Sequence, residues 1–102
     1  MSRLQTQPDV IRKGRTFGCV VRDDRKADGF VFLRDASGEE YFAHISGFRP
    51  QALFEEAKVG DAVSFRVNLR PKGLRAFDVQ RTTLPAGDLY AILEREENRG
   101  NR

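Results

Sequence analysis

The 102-residue chain has one cysteine, one histidine and no tryptophan. The lone Cys19 excludes an intrachain disulfide and any multi-cysteine metal cluster, and it suits a reducing compartment. With a single His44, and with Cys19 set among strand-forming residues, the sequence offers no nucleophile and base that could act as a pair. No enzyme activity, catalytic residue or cofactor is therefore expected. A Gly-x4-Gly-Lys loop that could cradle a phosphate is also missing. No apolar run approaches the roughly twenty residues of a membrane span. The leading MSRLQTQPDVIRK lacks the apolar centre of a secretion signal. A soluble, cytoplasmic, monomeric protein with no membrane partner and no metal is the expectation. The segment Asp23-Asp24-Arg25-Lys26-Ala27-Asp28 carries three carboxylates, but their spacing fits no calcium loop and two cations interrupt them. It reads as a solvated loop whose negative charge would repel an anionic partner.

What the chain does have is a modest positive balance and a set of short alternating runs. Eighteen Lys and Arg against fifteen Asp and Glu give a net charge of +3, which permits an anionic partner without demanding one. Residues 1–13 are polar and broken by Pro8, with Val10 and Ile11 as the only anchor, and they read as a flexible tail. Strand formers then run from Phe17 to Arg22. Two aromatic runs follow, Gly29-Phe30-Val31-Phe32-Leu33 and Tyr41-Phe42-Ala43-His44-Ile45, with a turn from Asp35 to Glu40 between them. Gly47 to Val59 is a long connection, with one helical turn expected around Ala52 to Ala57.

The clearest strand is the fourth, in which Val63, Phe65, Val67 and Leu69 alternate strictly with Ala62, Ser64, Arg66, Asn68 and Arg70. Pro71-Lys72-Gly73 supplies a tight turn into a fifth strand from Leu74 to Gln80. After Pro85, Asp88 is expected to cap a helix reaching Asn98, whose Leu89, Ile92 and Leu93 form one apolar stripe. Beyond Asn98 too few apolar groups remain to hold the chain in order.

Five short strands, a long break after the third, and Gly-aromatic-x-aromatic followed by aromatic-x-His resemble a cold-shock domain. Asp28-Gly29-Phe30-Val31-Phe32-Leu33 stands where that family has a Lys-Gly-Phe-Gly-Phe-Ile type motif. Tyr41-Phe42-Ala43-His44-Ile45-Ser46 stands where it has Val-Phe-Val-His-Phe-Ser, and Gly60-Asp61-x-Val-x-Phe and Ala76-Phe77-Asp78-Val79 fit its last two strands. The resemblance covers about Gly18 to Val79. It implies an all-β fold, a five-stranded antiparallel Greek-key oligonucleotide-binding-fold barrel over residues 14–83, with a short C-terminal helix and a disordered end in 84–102. The departures are specific. The family's Trp-Phe pair falls at Arg22 and Asp23, its motif lysine at Asp28, and its phenylalanine after the histidine at Ile45.

The resemblance further implies a partner, single-stranded RNA or DNA, with Phe30, Phe32, Phe42 and His44 stacking on bases. If they do, Val31, Leu33, Tyr41, Ala43 and Ile45 must supply the core from the opposite strand faces. Phosphates need cations, and the candidates are Arg22, Arg70, Lys72 and Arg75, with Lys13, Arg15, Arg34 and Arg66 in reserve. From Arg66 to Arg81 five cations face one anion, Asp78, a local +4 that exceeds the whole chain's +3. Arg22 could instead pair with Asp23 or Asp24. A second expectation is a protein-interaction module of weakened nucleic-acid affinity, the stripe of whose C-terminal helix could dock on a protein partner as readily as on its own barrel.

Overall fold

The computed structural model describes residues 10–71 and 73–100, with side chains for 11–71, 73–85, 87–94. Lys72 and residues 1–9 and 101–102 lie outside the described residues. Among the described residues six strands form, β1 (Val10–Ile11), β2 (Thr16–Arg22), β3 (Phe30–Asp35), β4 (Glu40–His44), β5 (Ala62–Arg70) and β6 (Gly73–Arg81). Among the described residues two α-helices accompany them, α1 (Leu53–Glu56) and α2 (Ala86–Gly100), with short 3-10 turns at Lys26–Asp28 and Ile45–Gly47.

The last five strands close a barrel in the order β5-β2-β3-β4-β6, with β6 returning to β5. This is the five-stranded closed barrel expected of an oligonucleotide-binding fold. Four of its pairings are antiparallel, but β4 and β6 meet in parallel, Phe42 opposite Arg75 and Ala43 opposite Ala76. The chain leaves β4 through α1 and crosses in β5 before it reaches β6, so β6 runs the same way as β4. Val10 and Ile11, the anchor within the leading tail, add β1 to the edge of β5 opposite Leu69 and Asn68.

Alternation sorts the strand residues into an inner and an outer set. Val31, Leu33, Tyr41, Ala43, Val63, Phe65, Val67, Ala76 and Val79 point inward and are buried, joined by Phe48 and Phe54 from the long connection. Each large apolar side chain in that set is worth about 1.5–3 kcal/mol of transfer free energy. Ile45 packs against the same cluster from its edge.

The β3–β4 turn is built by Asp35. Its Oδ1 accepts from the Ser37 amide, the Ser37 hydroxyl and the Glu39 amide, while its Oδ2 accepts from the Tyr41 hydroxyl at 2.7 Å. Burial alone would push the Asp35 carboxyl up, but the bonds from Tyr41, Ser37 and Glu39 hold it below its ordinary value. A carboxylate depressed in the folded chain stabilises it above the unfolded pKa, and that contribution is lost as pH falls through the folded value. The urea midpoint should therefore drop between pH 6 and pH 3, and Asp35→Asn should flatten that acid limb. An equally steep limb in the variant would remove Asp35 as its source.

The helix α2 begins at Ala86, with the Pro85 carbonyl accepting from the Asp88 and Leu89 amides. Asp88 thus sits inside the first turn rather than at the cap. Its negative charge still faces the positive end of the helix. The stripe of Leu89, Ile92 and Leu93 packs on Cys19 and Val21 of β2 and on Phe32 of β3. Of the two seats open to the stripe, a protein partner or the chain's own barrel, it takes the barrel. No helix among the described residues is long and apolar enough to cross a membrane.

Candidate functional site

The side chains left outside the barrel by alternation on β3 and β4 are Phe30, Phe32, Phe42 and His44, all half-buried, while Val31, Leu33, Tyr41 and Ala43, which alternate with them, are buried. Cross-strand pairing sets them side by side, Phe30 opposite His44 and Phe32 opposite Phe42. Ring centroids lie 4.6 Å apart for Phe30 and Phe42, 5.4 Å for Phe30 and Phe32, and 6.5 Å for Phe42 and His44. The four rings make one contiguous surface. Phe32 also borders the cluster under α2, so it divides its area between the ring surface and the helix seat.

His44 is oriented by the chain that follows it. Its Nδ1 accepts from the Ser46 amide at 3.1 Å, so in the neutral ring the proton sits on Nε2. Gly29, at φ +93, favours having no side chain, and a Cβ there would reach within 3.6 Å of that nitrogen. The glycine before the aromatic run therefore both permits the left-handed turn and keeps the imidazole edge clear.

Cations border the rings on two sides. A bulge at Val21 shifts the register so that Arg22 lies opposite Phe32 on the outer face, where strict alternation would have turned it inward with Val20. The Arg22 guanidinium stands 4.4 Å from the Phe32 ring centre and within 3.6 Å of Asp24. Of the readings given for Arg22, the pairing with Asp24 is present, and its guanidinium covers the chain's own Phe32 ring. Arg25 lies 5.4 Å from the Phe30 ring centre and pairs with Asp28 at 2.7 Å, so the charge that replaces the motif lysine is matched locally. Sequence reasoning missed Arg25, because the loop path that carries it over Phe30 leaves no periodic signal.

On the opposite side, the parallel β4–β6 pairing puts Arg75 beside Phe42. Arg22, Phe32, Phe42, Arg75 and Asn68 thus form a single outward row across five strands. An open groove of about 730 Å³ runs between Phe32 and Phe42 and the β5–β6 hairpin, with Arg70 and Arg75 in its lining. Lys72, named with them from the sequence, lies outside the described residues.

Three reserve cations are placed differently. Arg34 is 2% exposed, donating to the Gly38 carbonyl and the Glu40 carboxylate, so it is not a phosphate ligand. Arg15 is held by Ser64 and Asp78, tying the start of β2 to β6. Arg66 stands over Phe77, 5.6 Å from the ring centre, away from the four-ring surface. Lys26 of the acidic loop donates to the Glu55 and Ala57 carbonyls and fastens that loop to α1.

A small closed barrel that turns contiguous rings outward and lines their margins with arginines belongs to the class of oligonucleotide-binding-fold modules. The family described as "'Cold-shock' DNA-binding domain" matches residues 10–82, and the chain belongs to that family. The match starts at β1 and ends one residue past β6, so it spans the whole barrel and excludes α2. No curated protein and no solved structure matches the chain. The family is known for single-stranded nucleic-acid binding.

Proposed function

We propose that this chain is a non-catalytic binding module for single-stranded RNA or DNA, which holds bases on Phe30, Phe32, Phe42 and His44 and phosphates on the surrounding arginines. The observation that carries the reading is the separation of faces. Val31, Leu33, Tyr41 and Ala43 build the core, which leaves the alternate aromatic residues outside it, Phe32 alone sharing its area with the seat of α2. Four half-buried rings turned outward side by side suit unpaired bases, whose flat π faces tolerate any sequence.

Binding should weaken with salt. If Arg22, Arg25, Arg70 and Arg75 each meet one phosphate, the slope of log K against log salt should be about −2 to −3 for a single strand. Fluorescence anisotropy with a labelled octanucleotide at several salt concentrations measures it. A chain that shows no binding in the micromolar range at low salt does not have this function. A slope near zero with intact binding would leave the rings but remove the arginines.

A further inference from the structure

We propose that α2 is a functional part of the strand-binding surface: seated on β2, it fixes the Phe32 ring in the pose that receives a base, so that helix docking and strand binding strengthen one another. This role rests on the single-strand binding proposed above and adds a positioning element to it.

The outer face of the sheet changes character beside Phe32. Cys19 and Val21 point outward from β2, where alternation sets them opposite in direction to the core residue Val20, yet both are buried in a cluster with Ile92 of α2. Leu84, Leu89 and Leu93 pack against the same cluster, while Asp88, Tyr90, Ala91 and Glu94 on the rest of the helix surface are exposed. Of the four rings, Phe32 alone packs against that cluster. Its other neighbours are Phe30, edge-on with ring centroids 5.4 Å apart, Phe42 at 6.4 Å, and the Arg22 guanidinium 4.4 Å from its ring centre. The family match ends at residue 82, so the helix that completes the packing around Phe32 lies outside the matched segment.

A phenylalanine on a strand surface has more than one staggered well, and only one of them presents its face as part of a common surface. Rings border Phe32 towards Phe30 and β4, and the helix cluster borders it on the side of β2. With α2 away from its seat that side opens, and the ring can leave its pose. The apparent affinity then falls by the fraction of time the ring spends in the competent pose. Ordering one such side chain corresponds to about a three- to tenfold factor in binding. The same factor must run in the other direction, since a strand that favours the seated pose of Phe32 also favours the seated helix. Cys19 reports that seating, because it is the only cysteine of the chain and is buried with Ile92.

Two measurements on the full chain test this role. Anisotropy of a labelled octanucleotide of mixed sequence reads affinity, and a disulfide reagent at pH 8 reads seating through Cys19. On the wild-type chain a saturating octanucleotide should slow the thiol reaction about three- to tenfold. Ile92→Ala should weaken binding by a similar factor. In a Phe32→Ala background the same substitution should weaken it by less than about twofold, because the ring through which the helix acts is gone. An equal loss in both backgrounds would mean a general loosening of the fold and would overturn the positioning role. So would an affinity unchanged by Ile92→Ala, or an unslowed thiol reaction on the saturated wild-type chain, a measurement that needs no variant to fold. Failure of the wild-type chain to bind the octanucleotide would overturn the single-strand reading itself, and this role with it.

Discussion

Replacing Phe30 and Phe42 together with alanine is expected to weaken single-strand binding by about thirtyfold, the sum of two base stacks at the low end of about 1–3 kcal/mol each. The two rings are in contact, with centroids 4.6 Å apart, so the losses need not add fully and the single variants are required to apportion them. Folding should be little affected. Neither ring belongs to the barrel core, and what the fold loses is the aromatic pair itself, about 0.5–1.5 kcal/mol. The far-UV circular dichroism should remain that of the wild-type chain and the thermal midpoint should move by a few degrees at most. Phe65→Ala is the useful contrast, because Phe65 is fully buried and its loss should cost about 3–5 kcal/mol of stability without touching the outer face. An affinity unchanged in the double variant, with native circular dichroism, would mean that the rings are not where the bases lie.

How far the sequence discloses this site depends on the range of the interaction involved. The two faces of β3 and β4 were legible, because a period of two is a local property and the turn residue Asp35 fixes their antiparallel register. The strict alternation of Val63, Phe65 and Val67 likewise identified β5. Three features lay beyond that range. The bulge at Val21 turns Arg22 outward, and no alternation pattern announces an extra residue. Arg34 shares its parity with Phe30 and Phe32 and so read as an available cation, yet Gly38 and Glu40 hold it in a buried position. The parallel closure of β4 on β6 brings Arg75 to Phe42 from 33 positions away, and with it the groove that contains Glu40. Residues were therefore assigned to faces from sequence, but the lateral order of the strands, which decides what borders the rings, came from the fold.

The seat of α2 yields the second large effect. Ile92 is 1% exposed and lies against Cys19 and Val21, so Ile92→Ala should cost about 2–5 kcal/mol of the interaction that holds the helix on β2. The barrel core lies on the other side of that strand and does not include Ile92, so the helix can leave its seat while the barrel remains folded. A melting curve would then understate the change, and Cys19 provides the local reporter. Burial pushes its thiol up to about 11, so little of the nucleophilic thiolate exists at pH 8 in the seated state. Because the folded value is raised, the stabilisation from the neutral thiol is complete below the unfolded value near 9.0 and fades as pH rises towards 11. In the Ile92→Ala variant the single thiol should react with a disulfide reagent at pH 8 at least about tenfold faster than in the wild-type chain, since each 1.4 kcal/mol of lost docking raises the open population tenfold. Phe32 touches both this cluster and the ring surface, so the same variant should loosen one edge of the ring surface while leaving Phe30, Phe42 and His44 in place. Thiol reactivity equal to that of the wild-type chain, together with an unchanged melting midpoint, would place the stripe of α2 elsewhere than on β2 and return it to the surface available to a partner.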